Sequence, residues 1–451
     1  MKRILLIGAV LIIAFSTVYA EDSEIITDED ALFSGEESLD EEEDLFQEEI
    51  LVDMTEEAQT EVYEDALLTT EAAVIGGKIG ISTDTVFDAS DLADNQTFFE
   101  LSSDFYLDAR PEEDFRVFFK GAVSYPFTSD ENRTFSDVFT VKELFSDFQI
   151  GDTVFFRAGK QTVSWGVGYF FSPADVINLS RIDPEDPEEE RTGPVSLKTH
   201  IPFSVHNGYL YLIIEEFEEY KMPALAPRAE FLAGMMEIGL GGYYLYDNPP
   251  RGMITFTLPW KDFNFFAEGM FSYGSSKTFV QESDDLLNYP LGFSSVEYGD
   301  TAFFSGTAGF LYSYIDDDSK FNVSLAGQYY YNGEGYDDPS FITDNQEALG
   351  FLLAGEELDV TDFIEPAKHY GAASFSWSGI LDSDFSFNTF WMGSFSDFSG
   401  FITPAFSYAV NNYLSFSIGL TQNYGIEGTE FSPEGAATAL TLSTKLGSGK
   451  F

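Results

Sequence analysis

The chain has 451 residues, 78 acidic against 22 basic side chains, a formal net charge of -56, and no cysteine. This charge excludes a nucleic-acid binder that is held by phosphate neutralisation, because the chain would repel the polyanion. The lack of cysteine excludes disulfide scaffolds, thiol nucleophiles, iron–sulfur clusters and cysteine-based zinc sites. Aromatic residues make up 17% of the chain, which is far too many for a disordered acidic protein.

The N-terminus has the pattern of a secretory signal peptide. A basic start at residues 2–3 and an apolar run over 4–15 precede Val18 and Ala20, which suit the positions before a cleavage site. The apolar run is short for a retained membrane anchor. We therefore expect residues 1–20 to direct export and to be removed.

The next segment is strongly acidic. Residues 21–72 contain 22 acidic side chains and no basic one. Their apolar residues are too sparse to close a core, and segments of this composition stay disordered or form a marginal helix. We predict a disordered acidic periplasmic leader over 21–76 that acts as a solvated tether. A docking arm for a basic partner or for cations is the alternative.

The rest of the chain alternates between apolar and polar side chains in runs separated by turn residues. In the clearest run, Phe115, Val117 and Phe119 alternate with Arg116 and Lys120. A period of two places one set of side chains on lipid and the other set in a lumen. Runs of about ten residues are long enough for a tilted strand to cross a bilayer. This pattern predicts an all-β, antiparallel transmembrane β-barrel.

The connections between these runs alternate between short turns and long loops, as they do in outer-membrane barrels. The alternation holds only if residues 229–246 form two short strands with a turn near 235–239. This parity predicts 18 strands over residues 77–451, with 16 as the alternative count. An exported soluble β-sandwich or propeller is the alternative fold, but it does not explain so many aromatic side chains on one strand parity.

One segment departs from the pattern, because it begins as a strand near Phe155 and stops alternating at Trp165. Its motif is Arg157-Ala158-Gly159-Lys160-Gln161, then Trp165-Gly166, then Pro173-Ala174-Asp175 and Asn178. This motif resembles outer-membrane porins of the alginate-export and phosphate-selective kind over roughly residues 155–200. The resemblance implies a passive diffusion channel with this loop folded into the lumen.

Charged groups at a narrow place in a pore set its preference for ions and solutes. We therefore expect a constriction formed by loop 165–193 and by the polar face of the adjacent strands. The candidate pore-lining residues are Arg116, Lys120, Arg157, Lys160, Trp165, Asp175, Asn178, Asp183, Arg191 and Lys198. In the alternative interpretation, Trp165, Tyr169 and Phe170 belong to an interfacial aromatic belt and the loop covers the outer rim.

Catalytic chemistry has little support in the sequence. The three histidines, His200, His206 and His369, show none of the spacings to carboxylates that zinc hydrolases use. None of the acidic clusters has the pattern of a calcium-binding loop. We expect no enzyme activity, no catalytic residue, no metal and no cofactor.

The function that we expect is that of a porin in the cell outer membrane, which passes small polar solutes or ions. A fatty-acid-type transporter is the first alternative, but its lumen plug would be apolar, and the acidic leader cannot be buried without partners. A surface-exposed adhesin or structural barrel is the second. The expected partners are outer-membrane lipid, the barrel assembly machinery that reads a C-terminal residue such as Phe451, and a small polar solute or ion. We expect no nucleic-acid partner. For the oligomeric state, a homotrimer is one option that the sequence leaves open.

Overall fold

A computed structural model describes residues 73–88, 95–112, 114–127, 134–215, 222–316 and 319–450. The expected signal peptide over 1–20, the leader up to residue 72, and Phe451 lie outside the described residues. Residues 73–76, which the composition assigns to the leader, belong to the first strand.

The described chain is almost entirely β-strand. In chain order the strands are β1 (Ala73–Asp88), β2 (Asn95–Glu112), β3 (Phe115–Pro126), β4 (Phe139–Ile150), β5 (Val154–Lys160), β6 (Val195–Phe203), β7 (His206–Ile213), β8 (Ala224–Ala233), β9 (Met236–Tyr243), β10 (Arg251–Trp260), β11 (Phe263–Tyr273), β12 (Thr278–Glu282), β13 (Phe293–Glu297), β14 (Ala302–Ile315), β15 (Asn322–Tyr331), β16 (His369–Ser378), β17 (Phe385–Ser394), β18 (Ser399–Asn411), β19 (Leu414–Tyr424) and β20 (Thr438–Lys450).

Eighteen of these strands form one closed antiparallel barrel, and β12 pairs only with β13. Each barrel strand pairs with its neighbour in the chain, β11 pairs with β14, and β1 closes the sheet against β20. The predicted count of 18 is confirmed. The turn that decides it lies between β8 and β9, where Gly234 has a φ of 71°. Closure pairs both edges of each of the eighteen barrel strands.

The two ends of the barrel differ. Short turns lie at the end where β1 begins and β20 ends, and long loops lie at the other end. The longest loops are 161–194 and 332–368. The second carries helices α1 (Ser340–Asp344) and α2 (Gln346–Ala354), and short 3-10 turns span Phe135–Asp137, Gly151–Thr153 and Val360–Phe363. None of the helices in the described ranges is long and apolar enough to cross a membrane.

The outward face of the barrel is apolar. Exposed side chains on it include Leu107, Phe406 and Ile418, all from strands whose alternate residues point inward. Aromatic residues mark both rims. Trp260 is exposed next to a short turn, and Trp391 donates its indole N–H to Tyr424 at 2.8 Å near the long loops. Such belts are typical of barrels that sit in a bilayer, because amphipathic rings favour the headgroup region.

Candidate functional site

Loop 161–194 connects β5 to β6 and folds into the lumen. Trp165 is fully buried there, with its ring 5.3 Å from the ring of Tyr211 and 5.5 Å from the guanidinium of Arg228. Arg228 also donates a hydrogen bond to the carbonyl oxygen of Trp165. Trp165 is therefore packed against the inner wall and lies apart from the aromatic belt.

The loop continues across the lumen to the far wall. The ring of Phe170 lies 5.5 Å from Phe390 on β17, and the ring of Phe171 stacks on Tyr330 of β15 at 5.1 Å. These rings form a buried apolar cluster with residues of β11, β14, β16 and β18. The side of the lumen along these strands is thus filled by the loop.

Two polar side chains of the far wall, Glu268 and Gln328, accept hydrogen bonds from the backbone of the loop. The carboxylate of Glu268 on β11 accepts hydrogen bonds from the N–H groups of Val167, Gly168 and Ala174 and from the hydroxyl of Ser172.

Gln328 on β15 holds the next stretch of the loop. Its amide oxygen accepts from the N–H groups of Tyr169 and Phe170 at 3.1 and 2.6 Å. Its amide nitrogen donates to the carbonyl of Phe171 and to the hydroxyl of Thr307, both at 2.6 Å.

Three of the predicted site residues stabilise the loop itself. Arg191 pairs with the buried carboxylate of Asp175. Asn178 donates to Asp175 at 3.0 Å, and its amide oxygen accepts from the N–H of Val163 at 3.0 Å. The structure therefore brings Asp175, Asn178 and Arg191 together as a clasp that joins the two ends of the loop.

Asp183 lies in a tight acidic turn of the same loop. Its carboxylate accepts a hydrogen bond from the N–H of Glu185 at 2.9 Å, and Asp183 forms an isolated bridge with Asp186. Burial, and then the charge of Asp183, raise the pKa of the Glu185 carboxyl to about 9.

Arg116 and Arg157 face inward at the short-turn end of the barrel and belong to a buried charge network. Arg116 lies 2.9 Å from Asp108 and 3.6 Å from Asp147, and Arg157 lies 2.8 Å from Asp147. Arg110 completes the network with Asp108 at 2.9 Å. Because two carboxylates face three guanidinium groups, most of their positive charge is compensated within the wall.

The two remaining lysines of the β5–β6 region are placed differently. The ammonium of Lys198 is buried over the rings of Tyr209 and Tyr211, at 4.9 and 5.7 Å. Lys160 is the last residue of β5, three positions beyond Arg157, and it pairs across the sheet with Leu144 on the opposite, outward parity.

The charges that remain accessible lie on another part of the wall. The ammonium of Lys120 on β3 lies 3.1 Å from Glu190 of the loop, and these side chains are 32% and 29% exposed. Lys78 on β1 lies 3.5 Å from Asp104 on β2, with side chains 45% and 35% exposed. In the Arg116–Asp108 pair the corresponding values are 4% and 3%. The open charged surface is therefore formed by β1–β3 and the acidic edge of the loop.

The sequence analysis missed Glu268, Gln328 and Glu190. Glu268 is the sole charged residue in β11, among Phe, Ala, Gly and Met, and that isolation was the available signal. Glu190 ends an acidic run that composition alone assigns to solvent.

No family model and no curated protein matches the sequence. Among solved structures, OccAB1 of Acinetobacter baumannii is 11% identical with a TM-score of 0.47, covering 84% of this chain and 97% of its own. OpdL of Pseudomonas aeruginosa is 7% identical with a TM-score of 0.46, covering 84% and 99%. A mutant of the Rh. blastica porin is 7% identical with a TM-score of 0.40, covering 84% and 100%.

Proposed function

We propose that the chain is an outer-membrane porin, a passive diffusion channel for small polar solutes or ions. A closed barrel with an apolar outer face and aromatic rims supports an outer-membrane location. Its lumen carries an inward loop and accessible charged side chains. The observation that carries the proposal is the Lys120–Glu190 pair, in which an accessible charge of the loop meets an accessible charge of the wall.

We place the permeation path, and its constriction, between the edge of the loop and the wall formed by β1–β3. The opposite side of the lumen is filled by the packed rings around Phe170 and Phe171. Along the open side, the acids Glu190 and Asp104 face the two cations Lys120 and Lys78. Glu100, which accepts a hydrogen bond from Ser124 on the same wall, adds a further acid. A pore with such an excess of acids concentrates cations, so we expect weak cation selectivity.

The finer assignments belong to the same proposal. The motif over residues 155–200 supports kinship with the alginate-export and phosphate-selective porins. Residues 1–20 act as an export signal, and the part of the predicted leader that precedes β1, residues 21–72, acts as an acidic periplasmic tether. Assembly machinery inserts the barrel into lipid, no catalytic chemistry is involved, and a homotrimer is the oligomeric state to test first.

The test is the insertion of the refolded protein into a planar lipid bilayer. A diffusion channel produces discrete current steps that are proportional to voltage, and a unitary conductance that increases with salt concentration. A fatty-acid-type transporter or a structural barrel produces no such steps, although both shift in gel electrophoresis on heating. A heat-modifiable barrel without conductance would therefore overturn the proposal and leave the fold intact.

A further inference from the structure

We propose that Glu268 and Gln328 are positioning residues that hold loop 161–194 across the lumen and thereby set the width of the permeation path. The inference about the path rests on the proposed function. The inference about the loop itself does not, because it follows from the hydrogen bonds of two wall side chains.

Glu268 is a buried carboxylate with an unusual set of partners. It is only 4% exposed, and no cation among the described residues forms an ion pair with it. Burying a carboxylate without partners is strongly unfavourable. Here the loop supplies four donors: Val167 N–H at 2.6 Å, Gly168 N–H and Ala174 N–H at 3.0 Å, and the Ser172 hydroxyl at 2.9 Å. Hydrogen bonds to an ionised acceptor are about twice as strong as neutral ones.

The glycines of the motif fit this contact. A Cβ atom at position 166 would lie 2.7 Å from the Glu268 carboxylate and 1.8 Å from the Ser172 hydroxyl. A Cβ at position 168 would lie 1.9 Å from the carbonyl oxygen of Phe171. Only glycine therefore lets the backbone close around the carboxylate. Glycine at positions 166 and 168 thus allows the segment that follows Trp165 to pack closely around Glu268.

Gln328 matches the loop with both ends of its amide. The oxygen accepts from the N–H groups of Tyr169 and Phe170, and the nitrogen donates to the carbonyl of Phe171. A carboxylate at this position would lose the donor, and an apolar side chain would lose both functions. One side chain thus forms hydrogen bonds with the backbone of three consecutive loop residues, Tyr169, Phe170 and Phe171.

The two anchors lie far from the base of the loop. The loop leaves β5 and returns to β6, while its middle is fixed to β11 and β15 on the other side of the barrel. Glu190 lies on the returning part of the loop, where it pairs with Lys120. If either anchor is lost, we expect the middle of the loop to leave the far wall, and the gap between Glu190 and β3 to change.

The first experiment follows the loop without conduction. Trp165 is one of four tryptophans, so replacing the other three with Phe (Trp260→Phe, Trp377→Phe and Trp391→Phe) leaves a single probe inside the lumen. We expect Glu268→Ala to increase the quenching of Trp165 by acrylamide, because the backbone from Val167 onward loses its anchor while the contacts of Trp165 with Tyr211 and Arg228 remain. Glu268→Gln should lose part of the protection, because its amide N–H groups face backbone donors. Glu282→Ala, a matched change of an exposed acid on the outer hairpin, should keep full protection.

The second experiment measures single-channel conductance of the same variants. We expect Glu268→Ala and Gln328→Ala to change the unitary conductance and increase open-channel noise, and Glu282→Ala to match the wild type. Unchanged Trp165 quenching in both anchor variants would overturn the anchor role, whatever the conductance. Increased quenching with unchanged conductance would overturn the link to the path. If the wild type does not conduct while Trp165 becomes accessible, the proposed function fails and the anchor role stands.

A heat-shift assay in gel electrophoresis confirms that each variant retains the barrel. If Glu268→Ala does not fold, Gln328→Ala and Glu268→Gln decide, because each keeps part of the contact. Protection of Trp165 in both would count against the proposal.

Discussion

The ammonium nitrogen of Lys120 on β3 lies 3.1 Å from the carboxylate of Glu190 in the inward loop, and both side chains remain accessible. Most other inward ion pairs are buried within the wall or within the loop. An accessible ion pair between the wall and the loop contributes to the local electric field that a passing ion meets, because low-dielectric walls focus that field.

Charge reversal at this pair should therefore change selectivity. We expect Glu190→Lys to lower the cation-to-anion permeability ratio by up to about tenfold at low salt, and Lys120→Glu to raise it. The double exchange Lys120→Glu/Glu190→Lys should return the ratio towards the wild type. Reversal potentials under a salt gradient measure the ratio. Equal values for all three variants and for the wild type would place the path elsewhere.

The same variants should respond to ionic strength. Because the Debye length falls from about 10 Å at 0.1 M to about 3 Å at 1 M salt, the differences in permeability ratio should shrink at high salt. Differences that persist unchanged at 1 M would indicate a change in pore shape, and a test of the conductance with neutral Glu190→Gln would then separate shape from charge.

The buried network around Arg116 should matter for stability instead. We expect Asp147→Ala to lower the free energy of unfolding by about 3–5 kcal/mol, because it removes the buried carboxylate that lies 2.8 Å from Arg157 and 3.6 Å from Arg116. The accessible Lys78–Asp104 pair gives the control, because Asp104→Ala should lower the free energy of unfolding by only about 0–1 kcal/mol. Urea unfolding of the barrel in detergent measures both. A larger loss for Asp104→Ala than for Asp147→Ala would contradict the assignment of the two networks.

Loop 425–437 should loosen as the pH rises. The Tyr370 hydroxyl donates to the Glu430 carboxylate at 2.9 Å, and burial raises the pKa of Glu430 from 4.5 to about 8. Glu430 therefore binds a proton more tightly when the loop is packed against Tyr370 than when the loop is detached from it. The packing of the loop is most stable below pH 4.5, and its free energy weakens by roughly 1.4 kcal/mol per pH unit up to about pH 8.

Chymotrypsin cleavage after Phe431 reports this change. We expect cleavage, corrected for the activity of the enzyme, to increase between pH 6 and pH 8 and then to level off. Glu430→Gln has no titrating carboxyl at this position and should show a flat profile. A pH dependence that survives in Glu430→Gln would assign it to another group.

Much of the fold was predictable because strand parity is a local property. The turn at Gly234 separates two short strands that read as one in the sequence, and only the alternation of short and long connections distinguishes 18 strands from 17. The end of β5 shows the limit of such reasoning. Lys160 was expected in the lumen, but it lies three positions beyond Arg157 in the same strand, and it pairs with Leu144 on the opposite parity.

The site was predictable only in part. Trp165, Asp175 and Arg191 were expected to line the pore, but Trp165 packs against the inner wall, and Asp175 and Arg191 pair with each other within the loop. Two residues of the wall that hold the loop, Arg228 and Glu268, lie far along the chain, and no local pattern pairs a lone Glu with a backbone turn 100 residues earlier. Charge counting also does not separate compensated guanidinium groups, such as that of Arg116, from accessible ones.

The central claim is that the barrel conducts ions along an acidic path beside the loop. The most direct measurement is the reversal potential of the wild-type protein in a planar bilayer under a salt gradient. The account predicts discrete conductance steps and a reversal potential of the sign that cation preference gives. A folded, heat-modifiable barrel that shows no conductance steps, or one whose reversal potential has the sign of anion preference, would contradict it.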